Sequence, residues 1–277
     1  IQHLISCAEL PVAGRLVIER DGCAVVAHRF GVSGSPLVIL HGLAGSATEF
    51  IATANALSAS HRILLIDQRG HGCSTRVPDN LSRRAFVDDV VAHIEGFADE
   101  QVTLVGQSMG GNTALLVAQT RPDLVRHLVM VEAHPHGDDG GVNGQALEEY
   151  FQSWSVPFVD RQQAVAALGD SALARAWAAD FEHVEAGFSP RFDPAVMRKV
   201  IEPVHRPHTA EWRELSVPVT AMVGEHGVLS ADRRASLREE QPTVEVVEIA
   251  GAGHDPHLDA PDAWMAELRA VLMRAAG

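Results

Sequence analysis

The chain has 277 residues, 46% hydrophobic and 21% charged, the balance of an ordinary globular protein. Its net charge of −14, from 22 Lys and Arg against 36 Asp and Glu, argues against a nucleic-acid or anionic-membrane partner. No apolar run approaches the roughly 20 residues of a membrane span, and no basic segment followed by an apolar one opens the chain.

The length fits one α/β domain with an inserted segment, and a core of that size needs neither disulfide nor metal. Cys7, Cys23 and Cys73 show no CxxC spacing and are odd in number. They read as reduced thiols of a cytoplasmic protein, packing residues rather than nucleophiles.

In chain order, Arg15–Arg20 and Ala24–Phe30 alternate apolar and polar residues around Asp21-Gly22, a hairpin signal. Pro36–His41, Arg62–Asp67, Val102–Gly106, Leu128–Glu132, Val217–Val223 and Val244–Ile249 are short apolar runs, expected as strands buried on both faces of a parallel sheet. Helical periodicity lies between them over Ala47–Leu57, Ser82–Phe97, Met109–Gln119, Ala231–Glu240 and Pro261–Met273. This alternation predicts right-handed βαβ units with helices on both sides of the sheet.

The alternation stops after Glu132 and resumes near Val217. GDDGGVNG (137–144) has the composition of a linker. Gln145–Ser153, Arg161–Leu168, Ser171–Glu185 and Pro194–Val204 then read as short helices, and the same stretch carries Phe151, Trp154, Phe158, Trp177, Phe181 and Phe188. We expect a helical cap over 134–213 inserted into a core of 1–133 and 214–277. An ordinary helical extension would have the same helices but would turn its aromatics inward rather than over a pocket.

Gly106-Gln107-Ser108-Met109-Gly110 is G-x-S-x-G between an expected strand and an expected helix, the context of a nucleophile elbow. Glycines flank Ser108 because the turn leaves no room for side chains. Serine needs a base to take its proton. His254, in the glycine-rich loop GAGHDP (251–256) after the last strand, fits best, and His257 is the weaker choice. An oxyanion site needs two N–H groups. Leu43, in HGLAG (41–45), and Met109, at the start of a helix, would supply them. His41 and Gly42 are candidate substrate contacts, although a buried turn histidine is the plainer reading of His41.

These motifs, with DQRGHGCS (67–74), stand in the order and at the spacing of the α/β-hydrolase fold, and the chain resembles that family over nearly all of its length outside the cap. The resemblance implies a mostly parallel eight-stranded sheet flanked by helices, with an inserted helical cap, and structural roles for Asp67 and Arg69. It also implies a catalytic acid in a G-x-x-D after the strand that follows the cap. Here that stretch is Gly224-Glu225-His226-Gly227, and the acid position holds glycine. Glu132, at the end of the strand next to the nucleophile strand, where some family members carry their acid, is the first replacement. Glu225 is the second, and an arrangement without an acid is a third. As a structural residue, Glu132 would pair with an arginine or cap a helix.

His134-Pro135-His136 and the pairs His205/His208 and His254/His257 lack the spacing of HExxH, so no metal is expected. No cofactor is implied, and GVSG (31–34) is not a phosphate loop. The expected activity is hydrolysis of an ester or related acyl bond in a small to medium hydrophobic substrate through an acyl-serine, with Trp154 shaping the pocket. The same machinery could serve C–C bond hydrolysis, lactone chemistry or a lyase or cyclase step. A non-catalytic small-molecule receptor is the alternative outside enzymes. Nothing in the patterning specifies an oligomeric state.

Overall fold

The computed structural model describes residues 14–137 and 143–275. The chain opens on an antiparallel hairpin, β1 (Arg15–Arg20) and β2 (Cys23–Phe30). Asp21 and Gly22 turn it at φ values of 50° and 69°, the positive range a two-residue hairpin turn needs. Next come β3 (Ser35–Leu40), a 3-10 turn over Ala47–Phe50, α1 (Ile51–Leu57) and β4 (His61–Asp67). They are followed by α2 (Arg83–Phe97), β5 (Val102–Gln107), α3 (Met109–Thr120) and β6 (Val125–Val131). The inserted segment holds α4 (Gly144–Gln152), α5 (Arg161–Ala167), α6 (Ala172–Asp180), β7 (Glu182–Val184), β8 (Gly187–Ser189), α7 (Pro194–Val204) and α8 (Thr209–Arg213). The chain then returns through β9 (Val219–Gly224), α9 (Ala231–Glu240), β10 (Glu245–Ile249), α10 (Pro256–Asp259) and α11 (Pro261–Ala275).

Among the described residues, eight strands make one sheet in the order β1-β2-β4-β3-β5-β6-β9-β10. From β4 to β10 neighbouring strands run parallel, and β1 and β2 extend the sheet antiparallel. This is the α/β-hydrolase architecture expected from the sequence. Side-chain alternation divides the core: Leu37 and Ile39 of β3 face Phe50 and Trp264, while Val38 and Leu40 face the layer of Ile94 and Leu115. Strand order reverses between β3 and β5, so the carboxyl ends of these two strands open a crevice, the usual ligand position in such sheets.

Two buried charges fix the loops around that crevice. Asp67, at the end of β4, accepts hydrogen bonds from the amides of Ala47 (2.7 Å) and Cys73 (3.0 Å) and lies 3.3 Å from His28 Nε2. Burial acts against its charge, but the hydrogen bonds and the histidines outweigh it and hold the carboxyl below its usual range. Arg69 forms a bidentate pair with Asp89 of α2 (2.6 and 2.8 Å) and donates to the Asn80 carbonyl. Both partners are almost fully enclosed.

Three expectations need correction. A helix over Ser171–Glu185 is not continuous: α6 ends at Asp180 and β7–β8 form a hairpin. Phe158 and Phe188 exchange backbone hydrogen bonds at 2.8 Å, and a Cβ on Gly187 would lie 2.1 Å from the Phe158 carbonyl, so this turn requires glycine. The Val244–Ile249 strand is not buried on both faces, because β10 is an edge with Glu245 and Glu248 exposed. Cys73 is disulfide-bonded rather than a reduced thiol, and the reading of Cys7 falls outside the described residues. Cys23 is free and buried. Most of the expected linker 137–144 also falls outside the described residues. Among the described residues no helix is long and apolar enough to cross a membrane.

Arg69→Ala removes the bidentate partner of buried Asp89 and leaves only the longer contact to Arg20, at 3.6 Å. We expect a loss of roughly 3–5 kcal/mol in unfolding free energy, the usual cost of breaking one side of a buried pair. Urea denaturation followed by circular dichroism measures it.

Candidate active site

Ser108 follows β5 and stands at the N-cap of α3 with φ 50° and ψ −116°, a backbone conformation that costs energy in any residue with a side chain. Its neighbours have no alternative to glycine. A Cβ on Gly106 would lie 2.2 Å from the Gly110 carbonyl oxygen, and one on Gly110 would lie 2.5 Å from the Leu40 carbonyl oxygen. The Ser108 amide donates to the Val131 carbonyl at 2.8 Å, locking the turn to the end of β6. The serine side chain borders a cavity of about 430 Å³ that Gly42, Leu43, Glu132 and His254 also line.

Glu132 follows β6 at φ 47° and is 2% exposed. Its Oε1 accepts from the Gly224 amide (2.8 Å) and its Oε2 from the Val228 amide (2.7 Å). Oε2 lies 3.5 Å from His254 Nδ1, an ion-pair distance short of a well-aligned hydrogen bond. The glycine at the expected acid position now has a reason. A Cβ on Gly227 would fall 2.1 Å from Glu132 Oε1 and 2.4 Å from its Cδ. The carboxylate from β6 occupies the space that a side chain at 227 would fill. Glu225, the other candidate, accepts from the Gly251 amide at 2.9 Å and is about half exposed.

His254 is half-buried at the cavity rim. Burial disfavours its charged form, but Glu132, Asp255 and Asp259 together raise its pKa above the ordinary imidazole value. Gln107 holds its loop, donating through Nε2 to the His254 carbonyl and to Asp255 Oδ1, both at 3.0 Å. No hydrogen bond joins Ser108 Oγ to His254; the two side chains share the cavity wall. His257 is fully enclosed, stacked on Phe50 with ring centroids 4.0 Å apart, and burial pushes its pKa down to about 4. Among the described residues, neither the Leu43 nor the Met109 backbone N–H has an acceptor, which leaves both donors open.

Two expected substrate contacts are not on the cavity wall. His41 is 1% exposed; its Nδ1–H donates to the Gly42 carbonyl (2.7 Å) and its Nε2 accepts from the Gln68 amide (3.0 Å). The ring binds two loops together, and burial keeps it neutral. Trp154 packs edge-on to Phe151 (5.2 Å) and Phe192 (5.9 Å) and lies behind the wall, which Phe151 and Trp177 supply instead. Glu49 and Asn112 also border the cavity, as do His134, His205 and Arg233. Sequence patterning does not single out these five, because each belongs to a different loop or helix and only the fold brings them together. Among the described residues no group of three His, Cys, Asp or Glu side chains is placed to hold a metal ion.

Comparison with known proteins agrees with this fold. A family model described as the alpha/beta hydrolase fold matches residues 35–158. The chain is 27% identical to 2-(acetamidomethylene)succinate hydrolase of Mesorhizobium japonicum, over 80% of this chain and 82% of that protein. It is also 27% identical to the mouse sn-1-specific diacylglycerol lipase, over 83% and 78% of the two chains. The crystal structure of E-2-(acetamidomethylene)succinate hydrolase superposes with a TM-score of 0.82 at 25% identity, covering 92% of this chain and 97% of that one. With its strand order, its glycine-crowded serine turn and these relatives, the chain belongs to the α/β-hydrolase fold superfamily and is a hydrolase.

Proposed function

We propose that this protein is a serine hydrolase that cleaves an ester or related acyl bond through an acyl-serine intermediate. The observation that carries this reading is the seat of Glu132. Its buried carboxylate is fixed by two amides and set 3.5 Å from His254 Nδ1, on the cavity that Ser108 borders.

In this reading His254 takes the Ser108 proton as the oxygen attacks the substrate carbonyl, and Glu132 orients the ring and stabilises its charged form. The amides of Leu43 and Met109 receive the oxyanion. His254 returns the proton to the leaving group, and water attacking the acyl-serine by the reverse route regenerates the serine. The cavity of about 430 Å³, with Leu43, Leu147, Phe151, Trp177 and Ile201 on its wall, fits a small to medium substrate with apolar character. The inserted segment 134–213 acts as its cap. The ester cleaved by a diacylglycerol lipase and the succinate derivative cleaved by the Mesorhizobium enzyme are both acyl compounds, consistent with this chemistry.

A fluorophosphonate probe is expected to label the wild type and not Ser108→Ala; equal labelling would remove the serine from the mechanism. The acid limb of kcat/KM should have its midpoint above the usual imidazole value, because activity needs neutral His254 and the negative groups around it hold its proton. Glu132→Gln is expected to lower kcat by at least about 100-fold and to shift that limb to lower pH. Gly227→Asp alone should reduce activity by crowding Glu132. Combining it with Glu132→Ala should recover part of the loss, by returning a carboxylate to the same space.

A further inference from the structure

Glu49 lies in the 3-10 turn after β3 and is 7% exposed. It borders the cavity shared by Ser108 and His254. Its carboxyl group has no hydrogen-bond partner among the described residues. The loop carrying Leu43 wraps closely around it: a Cβ on Gly45 would lie 2.8 Å from each carboxyl oxygen.

Among the described residues the surroundings offer this group no counter-ion. The nearest basic atom, His257 Nε2, is 3.7 Å away in a buried ring held neutral. Asp67 of β4 and Asp255 ahead of α10 add like charge. Arg191, near its far side, is engaged by Asp180 and Glu182. Burial first, and Asp67 second, push the Glu49 carboxyl up to about 8. At neutral pH it therefore enters the cavity as a neutral acid, a hydrogen-bond donor. A carboxylate there would have set negative charge on the same cavity in which the oxyanion forms.

We propose that Glu49 is a substrate-positioning residue whose carboxyl O–H donates to a second acceptor oxygen of the bound acyl compound, selecting substrates with a carbonyl or ether oxygen beyond the scissile bond. This rests on the serine-hydrolase reading above. The position agrees with such a role, because Glu49 follows β3 and Ser108 follows β5, the two strands that flank the crevice.

Two measurements test it. Glu49 binds its proton more tightly in the folded chain than in the unfolded one. Its favourable contribution to folding is therefore complete below the unfolded carboxyl pKa and is lost as pH rises through about 8. Glu49→Gln cannot ionise, so its Tm should gain on that of the wild type between about pH 5 and about pH 9. A constant Tm difference over that range would show the group already ionised and overturn the proposal.

The second measurement compares p-nitrophenyl levulinate with p-nitrophenyl 4-methylpentanoate, which match in shape but differ in one acceptor oxygen. The wild type should show a KM about tenfold lower for the levulinate at pH 7, the factor expected of one hydrogen bond. Glu49→Gln should keep the preference, Glu49→Leu should abolish it, and the wild type should lose it above about pH 8 while Glu49→Gln does not. No preference in the wild type, or a preference surviving Glu49→Leu, overturns the assignment. Failure of the serine-hydrolase reading is told apart by absent fluorophosphonate labelling of the wild type, with the Tm comparison still reporting the Glu49 proton.

Discussion

Two backbone amides hold one buried carboxylate, and the site's geometry follows from that arrangement. Among the described residues Glu132 has no arginine or lysine against it; the Gly224 and Val228 amides satisfy its oxygens instead. Such a group keeps its position without being neutralised, so its field remains available to the imidazole 3.5 Å away. The hydrogen bonds come from the end of β9 and the turn after it, while the carboxylate comes from the end of β6. The pairing of β6 with β9, Val131 opposite Met222, sets the distance between them.

The serine side is governed by crowding rather than charge. Gly106, Gly110 and Gly111 each stand where a Cβ would overlap a neighbour, and Ser108 takes the strained conformation those close approaches impose. The surrounding packing offsets that strain: β5 is buried along its whole length and pairs with β3 on one side and β6 on the other. Gln107 then ties the serine strand to the histidine loop 147 residues further along the chain. A single side chain thereby couples two parts of the site that share no element.

Much of this was legible in the sequence because it depends on local patterns. The six apolar runs and the two alternating segments located the eight strands of the sheet to within a few residues, and Asp21-Gly22 located the hairpin. The glycines around Ser108 and His254 are legible because tight turns exclude side chains. Glu132 could be named only as one of two carboxylates, since reach across adjacent strands is a property of register. The two misplaced contacts have a common cause. His41 and Trp154 have side chains able to bind a ligand, but the first is used to hydrogen-bond two loops and the second, just past α4, to pack among aromatics, and side-chain direction is not written in residue type. Glu49 went unnoticed for the opposite reason. It is one acidic residue in a short turn, and nothing local tells that the fold encloses it against other acids. The helix read through Glu185 failed where the Phe158–Phe188 backbone pairing, distant in sequence, overrode helical periodicity.

The exchange between position 132 and position 227 has a wider implication. Two neighbouring β-strands deliver their ends to one point in space, so the carboxylate facing His254 has a location that either strand can fill. A survey that judges competence by the presence of aspartate in a single alignment column would class this protein among the degenerate members of its superfamily. Inspecting the glycine in that column for an incoming partner would sort relocated machinery from lost machinery.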